Sequence, residues 1–174
     1  MTEFLKHGAS PEETEAAEEQ VRRTVEAMHA EVRARGDAAV REYSEKLDRW
    51  SPANFRLSQE ELDALVASVP KKTLDDIRFA QQQVRNFAEH QKSALREIEV
   101  ETLPGVRLGH KNIPVANVGY YVPGGRYPMV ASAHMSIVTA KVAGVRRVIA
   151  CTPPTAGKAH PETIAAVDGG WTAQ

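Results

Sequence analysis

The sequence predicts an α/β chain in which helices come first and a parallel sheet follows. Three observations point to it. Through the first 96 residues apolar side chains recur at spacings of three and four, the period of helices that bury one stripe. At Glu97 the period changes to two, with Ile98, Val100 and Thr102 alternating with Glu97, Glu99 and Glu101. The stretch Asn117 to Pro154 then reads as strand, glycine-rich turn, helix, strand, a unit that yields two parallel strands joined by a right-handed crossover. This divides the chain into a helical region, 1–96, which packs on the sheet or on a partner subunit, and a sheet domain that starts at 97 and runs to 174.

Ser10-Pro11-Glu12-Glu13 has the form of a capping box with proline at the first helical position. The helix it opens carries Val21, Val25, Met28 and Val32 as one stripe and ends at Gly36. Asp37 is placed to cap a second helix, with Val40, Tyr43 and Leu47 on its buried face, and Ser51-Pro52 breaks it. Ser58-Gln59-Glu60-Glu61 is a second capping box, opening a short helix with Leu62, Leu65 and Val66 inward. A long helix over roughly Thr73 to Arg96 presents Leu74, Ile77, Val84, Phe87 and Leu95 on one side. These narrow apolar stripes need a further surface to cover them.

Ile98 to Thr102 reads as a strand with one wet face. Leu103-Pro104-Gly105-Val106 reads as a type II turn, with proline and glycine where that turn needs them, and Val106 to Leu108 returns as the hairpin partner. Val118 to Val122 is β-branched and aromatic and is stopped by Pro123-Gly124-Gly125. Met129 to Ala143 lacks internal glycine and proline and ends at Gly144, a good left-handed residue just past a helix. Val148 to Cys151 is a second apolar strand, closed by Pro153-Pro154.

Composition excludes several classes. With 42% hydrophobic and 26% charged residues the chain is globular material, and a net charge of −1 gives no general affinity for nucleic acid or an anionic membrane. No apolar run is long enough for a transmembrane helix. A single cysteine, Cys151, excludes an internal disulfide, fits a reducing cytoplasm, and reads as an inert thiol in a buried strand. None of the histidines His7, His29, His90, His110, His134 and His160 forms a close metal pair, and there is no Cys-x-x-Cys.

In open α/β sheets, ligands sit beyond the carboxyl ends of the strands, which here places Tyr121 to Pro128 and Thr152 to Pro154 at the binding edge. Gly124-Gly125 could let the backbone approach a phosphate at a helix N-terminus, or could serve only as a turn; the pattern is not G-x-G-x-x-G. Tyr120 and Tyr121 alternate across their strand, so one faces the core and the other the cleft. His134, between Ala133 and Met135, is by default a solvated or packed residue. On these grounds the chain shows a mononucleotide-type edge and no catalytic apparatus.

The run Gly119-Tyr120-Tyr121-Val122-Pro123-Gly124-Gly125, with Tyr127-Pro128, Met135, Ala140-Lys141-Val142-Ala143-Gly144-Val145 and Thr152-Pro153-Pro154, closely resembles the histidinol dehydrogenase family. The resemblance covers about residues 15 to 167 and implies an incomplete Rossmann-like parallel sheet. It also implies NAD and zinc as cofactors, an intertwined homodimer, and oxidation of a small polar primary alcohol through the aldehyde to the acid. The family tyrosine that contacts NAD falls on Tyr121, with Gly124 and Gly125 beside it. Family zinc ligands and the Glu-His acid/base pair lie beyond the part that this chain matches, so the resemblance assigns no catalytic or metal residue here. The segment Asp168 to Gln174 does not continue the family pattern and reads as the foreign tail of a truncated or frame-altered product that would not turn over alone.

Within the family, Arg126 alone between Gly125 and Tyr127, Met129-Val130 where a serine pair is common, and Val138-Thr139 before Ala140-Lys141 depart from histidinol dehydrogenases, and with Ala131-Ser132-Ala133-His134-Met135-Ser136 the chain resembles the sulfopropanediol 3-dehydrogenase branch. That branch oxidises 2,3-dihydroxypropane-1-sulfonate to sulfolactate; the alternatives are oxidation of L-histidinol to L-histidine, or a nucleotide-binding and dimerising fragment without turnover. A sulfonate needs fixed donors and positive charge, and Arg126 and His134 are the candidates. The opposing reading makes Arg126 a solvated loop residue and packs His134 against a neighbouring helix.

Overall fold

The computed structural model describes residues 10–124 and 127–169. The chain divides into two compact units, one ending at Ser51 and the other starting at Pro52. The two helices between Pro52 and residue 96 therefore belong with the sheet.

The first unit is a helical hairpin of α1 (Pro11–Arg35) and α2 (Asp37–Asp48). Pro11 opens α1 as expected; the Glu13 side chain, the other half of that capping box, lies outside the described residues. Gly36 turns the chain between the helices at φ 57, and the guanidinium of Arg35 donates to Glu31 at 3.0 Å and to Glu42 at 2.6 Å. Asp37 does not cap α2: Gly36 holds the cap position, and Asp37 is an acid in the first turn, where the helix dipole favours it. Ala39 is fully buried and Val40 and Tyr43 are partly buried, but Leu47 is 62% exposed. Val21, Val25 and Val32 on α1 are also exposed.

The second unit starts with α3 (Gln59–Ala67), whose capping box is complete. The Glu61 backbone N–H donates to the Ser58 hydroxyl at 3.2 Å, and the Ser58 N–H donates to the Glu61 carboxylate at 2.7 Å. Leu62, Leu65 and Val66 are partly buried, as their spacing requires. Helix α4 (Lys71–Ser93) follows. Its inward face is Leu74, Ile77, Gln81, Val84 and Ala88, steps of three and four. Phe87 is 66% exposed, and Leu95 lies beyond the helix end, so neither belongs to that face. Gln81 is accepted in the core because its side-chain amide donates to the Ala166 carbonyl at 2.9 Å.

Strands β1 (Ile98–Leu103) and β2 (Val106–His110) form the expected antiparallel hairpin, with Ile98 opposite His110 and Val100 opposite Leu108. Gly105 has φ 82, which the type II turn needs at that position. The expectation of one wet and one dry face fails: every residue of both strands is exposed, and no core cluster includes them.

Strand β3 (Asn117–Tyr121), helix α5 (Val130–Ala143) and strand β4 (Arg147–Cys151) form the predicted unit, and β3 and β4 are parallel. Gly144 ends α5 in the left-handed region at φ 97. Lys92 from the last turn of α4 donates to the Val142 carbonyl at 2.7 Å and supports that end. A last helix, α6 (Pro161–Asp168), follows β4. Proline stands at its first position, and the His160 ring accepts the Thr163 N–H at 3.4 Å as its cap. One core cluster joins Val69, Ile77, Val122, Ala133, Ala165 and Ala166; a second joins Ile137, Val145 and Val148. Helix α5 packs on the two-stranded sheet, and α3, α4 and α6 pack around α5 and one another.

Candidate functional site

The candidate site is the carboxyl edge of β3 and β4. Side chains alternate on both strands, and the register puts like with like. Val118, Tyr120, Val148 and Ala150 face the helices, whereas Gly119, Tyr121, Ile149 and Cys151 face outward. The pairing runs one residue past β3, where the Val122 N–H donates to the Cys151 carbonyl at 2.8 Å.

The two tyrosines separate as their alternation requires. Tyr120 packs against both core clusters. Its hydroxyl is buried without a hydrogen-bond partner among the described residues, and burial, with Cys151 adding to it, pushes the phenol pKa well up. Tyr121 is 60% exposed at the end of its strand.

Cys151 is not the buried thiol its apolar strand suggested. It is exposed, because it shares the outward face with Tyr121, and its thiol reaches the Tyr120 carbonyl at 3.5 Å.

Gly124 is buried, and a Cβ placed on it would lie 2.7 Å from Pro153 Cγ. It therefore joins the loop after β3 to the loop after β4. The remaining residues of the glycine turn, Gly125 and Arg126, lie outside the described residues. The turn returns to α5 through the Met129 N–H, which donates to the Pro123 carbonyl at 3.2 Å.

His134 is one of four buried residues of α5 and is 7% exposed. Its Nδ1 has no hydrogen-bond partner among the described residues, and desolvation lowers its pKa below 6.5. It lies within the helical packing rather than on the open edge. Among the described residues no group of three His, Cys, Asp or Glu side chains converges as a metal site, so zinc finds no ligand set on them. No helix among them is long and apolar enough to cross a membrane.

A parallel strand–helix–strand unit packed against further helices defines the class: an α/β protein. The family follows from comparison, because the histidinol dehydrogenase family model matches residues 11–169, and the chain belongs to that family. A histidinol dehydrogenase homolog of Shouchella clausii is 53% identical over 96% of this chain and 39% of its own length. The sulfopropanediol 3-dehydrogenase of Ruegeria pomeroyi is 46% identical over 89% of this chain and 35% of its own length. The histidinol dehydrogenase of Methanosarcina mazei is 42% identical over 82% of this chain and 33% of its own length. The crystal structure of histidinol dehydrogenase from Elizabethkingia anophelis superposes with a TM-score of 0.80 at 23% identity, covering 97% of this chain and 36% of that one, and shows the shared fold. The chain thus spans between a third and two-fifths of the length of these relatives.

Proposed function

We propose that this chain supplies the NAD-binding edge of a cytoplasmic, NAD- and zinc-dependent alcohol dehydrogenase that oxidises a primary alcohol to the acid. The observation that carries the reading is the exposure of Tyr121 at the carboxyl end of β3, with Gly124 closing the edge beside it. An exposed phenol there fits a flat ring or a ribose hydroxyl, by stacking or by hydrogen bonding. NAD, when bound, supplies the hydride acceptor. Tyr121 holds and orients it. The described residues do not fit zinc. Exposed apolar side chains such as Val21, Leu47, Phe79 and Phe87 support a homodimer in the whole enzyme.

For the substrate we favour 2,3-dihydroxypropane-1-sulfonate over L-histidinol. Support comes from Met129-Val130 at the start of α5, from Val138-Thr139 in its middle, and from the 46% identity to a sulfopropanediol 3-dehydrogenase. Val138 is fully buried and the Thr139 hydroxyl donates to the Met135 carbonyl at 2.6 Å, so this helix runs on unbroken. With His134 buried, Arg126 is the stronger candidate for a sulfonate contact. NADH titration of the purified chain tests the cofactor reading: saturable binding is expected, and no binding at millimolar NADH would overturn it. In an enzyme carrying these residues within its full length, kcat/KM for dihydroxypropanesulfonate should exceed that for histidinol. The reverse ratio would install histidinol as substrate.

A further inference from the structure

We infer that Pro153 is a positioning residue for the dinucleotide edge, acting through Gly124; the inference rests on the NAD-binding reading above. Glycine at 124 is not explained by backbone conformation. The left-handed glycines among the described residues are Gly36, Gly105, Gly144 and Gly157, and Gly124 is not among them. It is explained by space. A Cβ at 124 would stand 2.7 Å from Pro153 Cγ, closer than such carbon atoms approach, and 3.3 Å from Cδ, a tight contact, with the Pro153 carbonyl oxygen at 3.7 Å.

Each loop is also closed on itself. The loop after β3 returns through Met129 N–H to Pro123 carbonyl at 3.2 Å. The loop after β4 folds back through a Thr155–Lys158 bridge, with Ala156 and Gly157 both at positive φ. The Gly124–Pro153 contact is where the two closed loops meet. Pro154 restrains residue 153 to extended conformations, so the pyrrolidine ring is held at a fixed height against the glycine. Tyr121 lies three residues before one partner and in register with Cys151, two residues before the other. The ring of Pro153 therefore sets where the backbone at 124 stands relative to Tyr121.

The test is a double-mutant cycle on the purified chain, with Gly124→Ala, Pro153→Ala and both together, read by melting temperature and by NADH dissociation constant. Pro153→Ala removes Cγ and Cδ, the two atoms nearest the new methyl group; the next nearest, the Pro153 carbonyl oxygen at 3.7 Å, is an ordinary contact. Pro154 still restrains the backbone there. Gly124→Ala alone should weaken NADH binding by about tenfold or more through overpacking. The double variant should bind within about threefold of Pro153→Ala, a rescue that independent sites would not show. Should Gly124→Ala not fold, a folded double variant gives the same support, and a double variant that also fails to fold overturns the inference. NADH binding by the parent chain with additive effects in the cycle overturns the positioning role alone. No NADH binding by the parent chain overturns the dinucleotide reading itself, and the positioning role with it.

Discussion

Tyr121 and Cys151 are the last register pair of the parallel sheet, and both side chains stand on its exposed face. Their neighbours one residue back, Tyr120 and Ala150, point into the helices. The same alternation that anchors the strands thus delivers one aromatic ring and one thiol together to the carboxyl edge of the sheet.

Tyr121→Ala should weaken NADH binding by about tenfold, since losing an aromatic contact costs on the order of 1 kcal/mol or somewhat more. Tyr121→Phe keeps the ring and should stay within about threefold of the parent, losing only hydrogen bonding. Fluorescence titration of the three proteins decides the matter. Equal affinity in all three would remove Tyr121 from the site.

Gln81 bonds across 85 residues to the Ala166 carbonyl, tying α4 to α6 inside the core. Gln81→Leu leaves that carbonyl without its partner and should lower unfolding stability by about 1–3 kcal/mol. A urea denaturation curve with an unchanged midpoint would show that the bond contributes nothing.

Much of this fold was legible in the sequence because its signals are local. Ser58 and Glu61 are three residues apart and cap α3; Pro104-Gly105 sets the hairpin turn; Gly144 stops α5. What was not legible depends on partners far away in sequence. Phe87 looks like a core residue, but Ala88 holds the inner face at that turn, and Gln81 joins the face because α6 supplies a carbonyl for it. Helix α6 itself has four consecutive apolar residues, Ile164 to Val167, and so no stripe that betrays a helix. Its start was signalled only by Pro161, with a histidine as the less usual cap. At the candidate site, strand alternation separated Tyr120 from Tyr121 without saying which faces outward, and Cys151 could have been placed on a face by the same alternation. The reason for Gly124 was hidden, since it lies in Pro153, on a different loop.

Stability should carry a pH signature from His134. Desolvation lowers its folded-state pKa below 6.5, whereas the unfolded chain protonates the ring near its ordinary value. Below that value the unfolded state binds more protons, so the contribution is full above pH 6.5 and is lost as pH falls toward the depressed folded value. His134→Leu removes the titration and the unpartnered Nδ1 together. Between about pH 7.5 and about pH 5.5 the parent chain should lose more melting temperature than His134→Leu. Parallel declines would assign the acid sensitivity to other groups.

The most direct test of the NAD-edge account uses the chain's single cysteine as a reporter. Cys151 is exposed and in register with Tyr121, so a maleimide reagent reaches it freely and labels nothing else by thiol chemistry. The rate of Cys151 alkylation is measured with and without saturating NADH. A dinucleotide lying against Tyr121 covers the neighbouring thiol, and the account predicts that NADH slows labelling by about tenfold or more, as expected for a site occupied at well above its dissociation constant. Adenosine, which lacks the pyrophosphate and the nicotinamide, should protect less. An alkylation rate that saturating NADH leaves unchanged would contradict the placement of the cofactor on this edge.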